Sequence, residues 1–269
     1  MERFAKHLLV RGRKLRLADW SAGSTPGWKG RDGAAERVAR NLERIDVQQY
    51  RLFADASRSL LIVLQGMDTS GKDGLIRNVL TIFNPQGCRV WPFKVPTAEE
   101  ASHDFLWRIH RAAPARGEVA VFNRSHYEDV LVVRVNDLVP EDVWSRRYEQ
   151  INDFERLLTA CNTRVVKIFL QISKEEQRVR FADRLSDRRK NWKFDTGDLE
   201  KRQQWASYTR AFEAMFARCS TDHAPWYVVP ANRKWFRDFA VSQLLIYEFE
   251  QLPLRFPAPN FDPKTIKLV

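Results

Sequence analysis

The sequence predicts an α/β protein, with a parallel sheet flanked by helices and a phosphate-binding loop after its first strand. Three observations predict it. Residues 60–74, LLIVLQGMDTSGKDG, run from an apolar, branched segment into a glycine-framed loop ending in Gly71-Lys72, and Leu75-Ile76-Arg77-Asn78-Val79-Leu80 can continue as a helix. Strand, loop and helix in that order make a phosphate cradle, with loop N–H groups and the helix N-terminus facing an anion. Five short apolar runs (60–64, 89–93, 119–122, 165–172 and 226–229) alternate with helical patterns, the order that builds parallel sheets through right-handed crossovers. These runs are too apolar for a half-exposed sheet and suit strands covered on both faces.

Along the chain, residues 1–33 read as a basic arm, with Lys6, Arg11, Arg13, Lys14 and Arg16, followed by a polar, Gly-rich loop over 21–33. The arm is either a solvated tail or a packing arm, since it lacks the apolar core of a secretory signal. From Ala34 a helix is expected, because Val38, Leu42 and Ile45 fall on one face. Further helices are expected over 98–111, 141–160, 174–188, 198–218 and 232–250, giving a single domain over 34–250 and a tail over 251–269. Cys88, Cys161 and Cys219 are scattered singly, which argues against zinc and disulfides and fits a reducing, cytoplasmic setting. No apolar run approaches the ~20 residues of a membrane span. The net charge of +11 calls for a polyanionic partner: nucleic acid, an acidic membrane or a phosphorylated substrate.

The spacing Gly66-x-x-x-x-Gly71-Lys72 fits the P-loop, so Gly66, Thr69, Ser70, Gly71, Lys72, Asp73 and Gly74 are the candidate phosphate cradle. Asp73 stands where Ser or Thr normally ligates magnesium, and Asp68 puts a carboxylate inside the cradle. That acid repels phosphate unless a cation sits between them, which implies a divalent metal at Asp68. The plain alternative is a strand-to-helix turn that binds nothing. Ligands of open α/β sheets sit at the carboxyl ends of strands, which selects this loop and the segments after 119–122 and 165–172. The first of those is Asn123-Arg124-Ser125-His126-Tyr127-Glu128-Asp129. Asn123 takes the place of the usual metal-holding acid, and Arg124 is suited to phosphoryl oxygens. Glu128 and Asp129 are either metal or nucleotide contacts or the acidic first turn of a helix; His126 has no catalytic part.

After the second, Ser173-Lys174-Glu175-Glu176 reads as a capping box. Arg180, Arg184 and Arg188 recur every four residues, with Arg178, Arg189, Lys190 and Lys193 nearby and Asp183 and Asp187 offsetting part of the charge. This stretch is either a solvated helix face or a mobile lid, about 174–205, that brings cations to a phosphate chain.

Together these motifs resemble the polyphosphate kinase 2 family. The resemblance rests on residues 66–74, on Phe122-Asn123-Arg124-Ser125-His126-Tyr127-Glu128-Asp129-Val130-Leu131, and on Arg189-Lys190-Asn191-Trp192-Lys193-Phe194 with Gly197-Asp198-Leu199-Glu200 and Trp205. Farther on, residues 224–231 and Lys234-Trp235 also match, so the likeness spans roughly 30–250. It implies a P-loop kinase fold like that of thymidylate kinase. It also implies magnesium-assisted transfer (manganese being the alternative ion) between inorganic polyphosphate and nucleoside mono- or diphosphates, by a homodimer or homotetramer. In that scheme Asp68, Lys72 and Arg124 are catalytic, with Asp68 on the metal. Arg178, Arg180, Arg184, Arg188 and Lys193 contact phosphates, and Asn123, Arg124, Glu128 and Asp129 contact the nucleotide. Asn123 followed by Arg-Ser-His-Tyr-Glu-Asp resembles the class III branch, associated with phosphorylating both mono- and diphosphates. The charge is then explained by polyphosphate, with neither nucleic acid nor membrane as partner. An ATP-dependent nucleotide kinase and a basic nucleic-acid-binding protein with a vestigial P-loop are the competing readings.

Overall fold

The structure, a computed structural model, describes residues 2–12 and 15–266; Arg13 and Lys14 of the basic arm and the last three residues of the tail lie outside them. In chain order the elements are α1 (Glu2–Leu8), α2 (Ala34–Asp55), β1 (Ser59–Gln65), α3 (Lys72–Asn78), β2 (Cys88–Pro92), α4 (Ala98–Ser102), α5 (Trp107–Ala112) and β3 (Val119–Asn123). They continue with α6 (Glu128–Val135), α7 (Glu141–Ala160), β4 (Thr163–Gln171), α8 (Lys174–Ser186), α9 (Gly197–Gln203), α10 (Trp205–Cys219), β5 (Trp226–Pro230) and α11 (Lys234–Glu250). All five strands are parallel, in the order β2-β3-β1-β4-β5. The glycine loop read as a phosphate cradle follows the central strand, β1, as the sequence predicts.

Successive strand residues point to opposite faces, and both faces of this sheet are dry. Leu60, Ile62 and Leu64 join one core with Phe239 and Leu244 of α11, whereas Leu61 and Val63 join the other with Val130 of α6, Ile151 of α7 and Phe212 of α10. Every residue of β1 is buried. The edge strand β2 departs from the expected two-sided cover: Arg89, Val90 and Pro92 are exposed, because no strand lies beyond it. The described part of the arm is packed. Phe4, Ala5 and Leu8 are buried, and Val10 N–H donates to Trp226 O at 2.9 Å.

Helix boundaries shifted where a local hydrogen bond outcompetes the next turn. The expected helix over 98–111 is two, α4 and α5, because the Asp104 side chain and carbonyl accept the N–H groups of Leu106 and Trp107. The expected helix over 198–218 is α9 and α10, offset at Gln204. α8 stops at Ser186 since Asp187 is extended and accepts Arg189 N–H. The capping box is half formed: Ser173 Oγ accepts Glu176 N–H, but Ser173 N–H goes to Asn232 and the Glu176 carboxylate to Arg180. Sequence periodicity did not mark α1 or α6.

One buried polar cluster ties the segment after β3 to the core. Lys167 Nζ donates to Glu155 Oε2 (2.6 Å), the Tyr127 hydroxyl (2.7 Å) and Cys219 O (2.6 Å). Tyr127 donates to Glu155 Oε1 at 2.8 Å, and His126 Nε2 lies 3.2 Å from it. Burial pushes the Glu155 carboxyl up, but Lys167 and His126 together outweigh burial and hold it below its ordinary range. Removing one partner of such a pair strands the other's charge. Lys167→Met is therefore expected to lower unfolding free energy by about 3–5 kcal/mol, read from urea melts, with Lys167→Met/Glu155→Leu recovering part of the loss.

Candidate active site

The loop between β1 and α3 is shaped by its glycines. Gly66 lies at φ 151° and Gly71 at φ 101°, where an L side chain is strained. Space is denied as well: a Cβ on Gly66 would meet Leu170 O at 2.7 Å, and one on Gly71 would meet Arg237 Nη1 at 2.3 Å. Thr69 is also left-handed, at φ 65°. Lys72 is buried, its Nζ donating to Gly66 O at 2.8 Å and Met67 O at 3.3 Å. Burial first, then the nearby Arg124 charge, pulls the Lys72 pKa down to about 8, with Asp68, Glu128 and Asp73 opposing.

Asp68 is the electrostatic centre. Arg124 Nη2 donates to its Oδ1 at 2.6 Å and Lys201 Nζ lies 3.3 Å from its Oδ2. Burial alone would raise its carboxyl, but Arg124, Lys72 and Lys201 together hold it below the usual carboxylate range. Arg124 sits at φ 65°, and the buried Ser125 behind it accepts from Gln65 and from Tyr127 N–H, both at 3.2 Å. Asn123 Nδ2 donates to Asp73 Oδ1 at 2.9 Å. Compared with the usual P-loop arrangement, acid and neutral polar group have changed sides: the carboxylate stands on the loop and the neutral side chain at the strand end.

Two cavities meet at Asp68 and Arg124. The larger, roughly 550 Å³, runs from Thr69 to Gly74 past Asn123 to the segment after α8. Among the described residues its lining carries ten cationic side chains against five carboxylates. The smaller lies on the other side, against Met67, Glu128, Leu131, Lys201, Tyr208 and Phe212.

The larger cavity thus gathers Thr69, Ser70, Gly71, Lys72, Asp73, Gly74, Asn123, Arg124, Arg180, Arg184 and Lys193. Glu128 and Gly66 line the smaller one. Three candidates lie elsewhere. Asp129 turns to Arg147, 2.8 Å away, and burial lifts its carboxyl to about 6. Arg178 is exposed and pairs with Glu175, and Arg188 is exposed past the end of α8, so no three-arginine stripe forms. Sequence reasoning missed Lys201, Arg237, Lys94 and Arg77. Lys94 and Arg237 follow β2 and β5, two strand ends passed over when the carboxyl-end rule was applied. Lys201 stands one helical turn after Asp198, 3.9 Å from its carboxylate.

The sequence profile described as Polyphosphate kinase 2 (PPK2) matches residues 29–255. The chain belongs to the polyphosphate kinase 2 family. It is 48% identical over 231 residues to the AMP/ADP-polyphosphate phosphotransferase of Meiothermus ruber, covering 86% of both chains. It is 42% identical over 258 residues to the ADP-polyphosphate phosphotransferase of Rhodopseudomonas palustris, covering 91% of this chain and 89% of that one. The crystal structure of polyphosphate kinase 2 from Arthrobacter aurescens TC1 superposes with a TM-score of 0.94 at 43% identity, covering 97% of this chain and 94% of that one. Shared family membership therefore extends over nearly the whole fold.

Because burial brings the Lys72 pKa down to about 8 and phosphate binds the protonated form, the lysine's contribution to tripolyphosphate affinity, taken as the difference from Lys72→Arg, should be steady below about pH 7. It should then weaken by up to about tenfold per pH unit above about 8, read from calorimetric titrations of both chains. Gly71→Ala, which drives a methyl into Arg237, is expected to cost about 10²-fold or more in turnover, read in steady-state assays.

Proposed function

We propose that this chain is a polyphosphate-dependent nucleotide kinase. It moves the terminal phosphoryl group between inorganic polyphosphate and a nucleoside mono- or diphosphate: AMP to ADP, ADP to ATP, and the guanine nucleotides likewise. The lining of the larger cavity carries this reading. Cations surround it, and Phe93 is its one aromatic among the described residues, so it suits a donor that is phosphate throughout and offers a nucleobase little to stack on. The relatives' names, which specify polyphosphate with AMP or ADP, support the same conclusion.

Phosphoryl transfer asks for positioning and charge neutralisation more than covalent help. The loop N–H groups and Lys72 receive the chain end, and Arg184, Lys190 and Lys193 neutralise units farther along. Arg124, at the wall shared by both cavities, faces the transferring group, and Asn123 and Glu128 flank the acceptor. Asp129 supports that turn through Arg147.

The donor set fits magnesium or manganese. Magnesium takes one or two carboxylates and completes its shell with phosphate oxygens and water. Asp68 would hold it, with Asp73 the nearby second acid; among the described residues no cluster offers an all-protein cage. Bound there, the ion would neutralise charge on the anhydride oxygens. We place the enzyme in the cytoplasm, on its singly scattered cysteines, and as a homodimer or homotetramer, on the family resemblance; among the described residues no helix is long and apolar enough to cross a membrane.

The deciding experiment crosses polyphosphates of several lengths and ATP, as donors, with AMP, ADP, GMP and GDP, with and without magnesium. Metal-dependent transfer from long chains, well above that from ATP, is expected; equal use of ATP would make this an ordinary nucleotide kinase. Tight, steeply salt-dependent DNA or RNA binding without transfer would defeat both. Lys72→Ala and Asp68→Asn should each lower kcat by about 10²-fold or more while the thermal transition is retained.

A further inference from the structure

One cation held against the loop backbone is not placed like a ligand. Arg180, on the second turn of α8, is buried, and a guanidinium has five N–H donors in a fixed fork. All five have protein acceptors. Nε donates to Glu176 Oε1 at 2.7 Å. Nη1 donates to Thr69 O at 2.8 Å and Ser70 O at 3.0 Å. Nη2 donates to Ala231 O at 2.6 Å and Asn232 O at 3.1 Å, just after β5. One turn earlier on α8, Gln177 Nε2 donates to Asp68 O at 3.0 Å, and from α11 Arg237 Nη1 donates to Gly71 O at 3.1 Å.

Four consecutive loop carbonyls, Asp68 to Gly71, are therefore held by side chains from two helices. In a planar trans peptide the C=O and the following N–H point opposite ways. Anchoring those carbonyls aims the N–H groups of Thr69, Gly71 and Lys72, the donors left for a phosphate, while the Ser70 N–H closes the turn onto Met67 O at 3.0 Å. It also holds Thr69 in a left-handed conformation that a β-branched residue does not adopt by itself. To bind a phosphate, Arg180 would have to abandon the carbonyls of Thr69 and Ser70, to which no other side chain among the described residues donates.

We propose that Arg180, seconded by Gln177, is a positioning residue that sets the loop's N–H groups for transfer and is not itself a phosphate ligand. The root of the lid is thereby fixed to the loop. The cations free to follow a phosphate chain begin at Arg184, whose Nη1 holds only Lys193 O at 3.0 Å and, weakly, Asp198 at 3.5 Å. This inference rests on the polyphosphate reading of the site, and transfer from polyphosphate to ADP by the unaltered chain tests that reading separately.

The test uses the full chain, tripolyphosphate as calorimetric probe, and long-chain polyphosphate with ADP for kinetics. Arg180→Lys keeps the charge but has three donors in another geometry. It is expected to lower kcat about 10²-fold, with tripolyphosphate Kd within about threefold and the slope of log Kd against log salt unchanged. Gln177→Leu, which removes no charge, should lower kcat about tenfold with the same unchanged Kd, and it decides the matter should Arg180→Lys fail to fold. The proposal is overturned if Arg180→Ala weakens tripolyphosphate at least tenfold and cuts the salt slope by about one while Arg180→Lys restores both. It is equally overturned if Arg180→Lys and Gln177→Leu lower only the melting temperature and leave kcat intact below it.

Discussion

An acid buried inside a phosphate cradle is the constraint around which the active site is arranged. Asp68 would repel both its own burial and any phosphate beside it. Arg124 and Lys201 contact it directly and Lys72 adds its field, which together reverse the effect of burial. Those cations come from the segment after β3, from α9 and from the loop itself. Two distant parts of the chain are thus pulled to one carboxylate of the loop, and Asp68 and Arg124 line both cavities. The same balance leaves Lys72 close to its titration point, since burial and Arg124 act on it in one direction.

Around that centre, the parallel sheet supplies direction. Every strand delivers its carboxyl end to the same edge, so residues following β1, β2, β3, β4 and β5 share one rim. Rigidity comes from buried polar groups and not from the loop sequence alone. Lys167 and Glu155 anchor the turn that carries Arg124, and α8 and α11 grip the loop's carbonyls. The cations toward the far end of the cavity, Lys190 and Lys193, are by contrast exposed or half-buried.

Much of this was legible beforehand because it is local. A strand, a P-loop spacing and a following helix lie within fifteen residues, and α7 spans the same residues, 141–160, that periodicity assigns to it. Local competition explains two boundary differences: Asp104 captures N–H groups at the start of α5, and Asp187 captures one just past the end of α8. Among the site residues, Lys72 and Arg124 were visible through motif position. Lys201 and Arg237 were not, since nothing near them in the chain points to Asp68 or Gly71.

By itself the sequence determined the layered α/β class and the location of the glycine loop, and it pointed to a polyanionic ligand, since hydrophobic period, glycine spacing and net charge are carried by residues close in the chain or summed over it. Tertiary structure decided the use of each charge. Arg180 and Arg188 look alike as members of one spacing, yet one is buried with five carbonyl or carboxylate partners and the other lies exposed beyond its helix. Asp129 and Glu128 are neighbours, yet one faces Arg147 and the other the cavity. A side chain's role depends on which groups surround it in space, and long-range packing sets those surroundings.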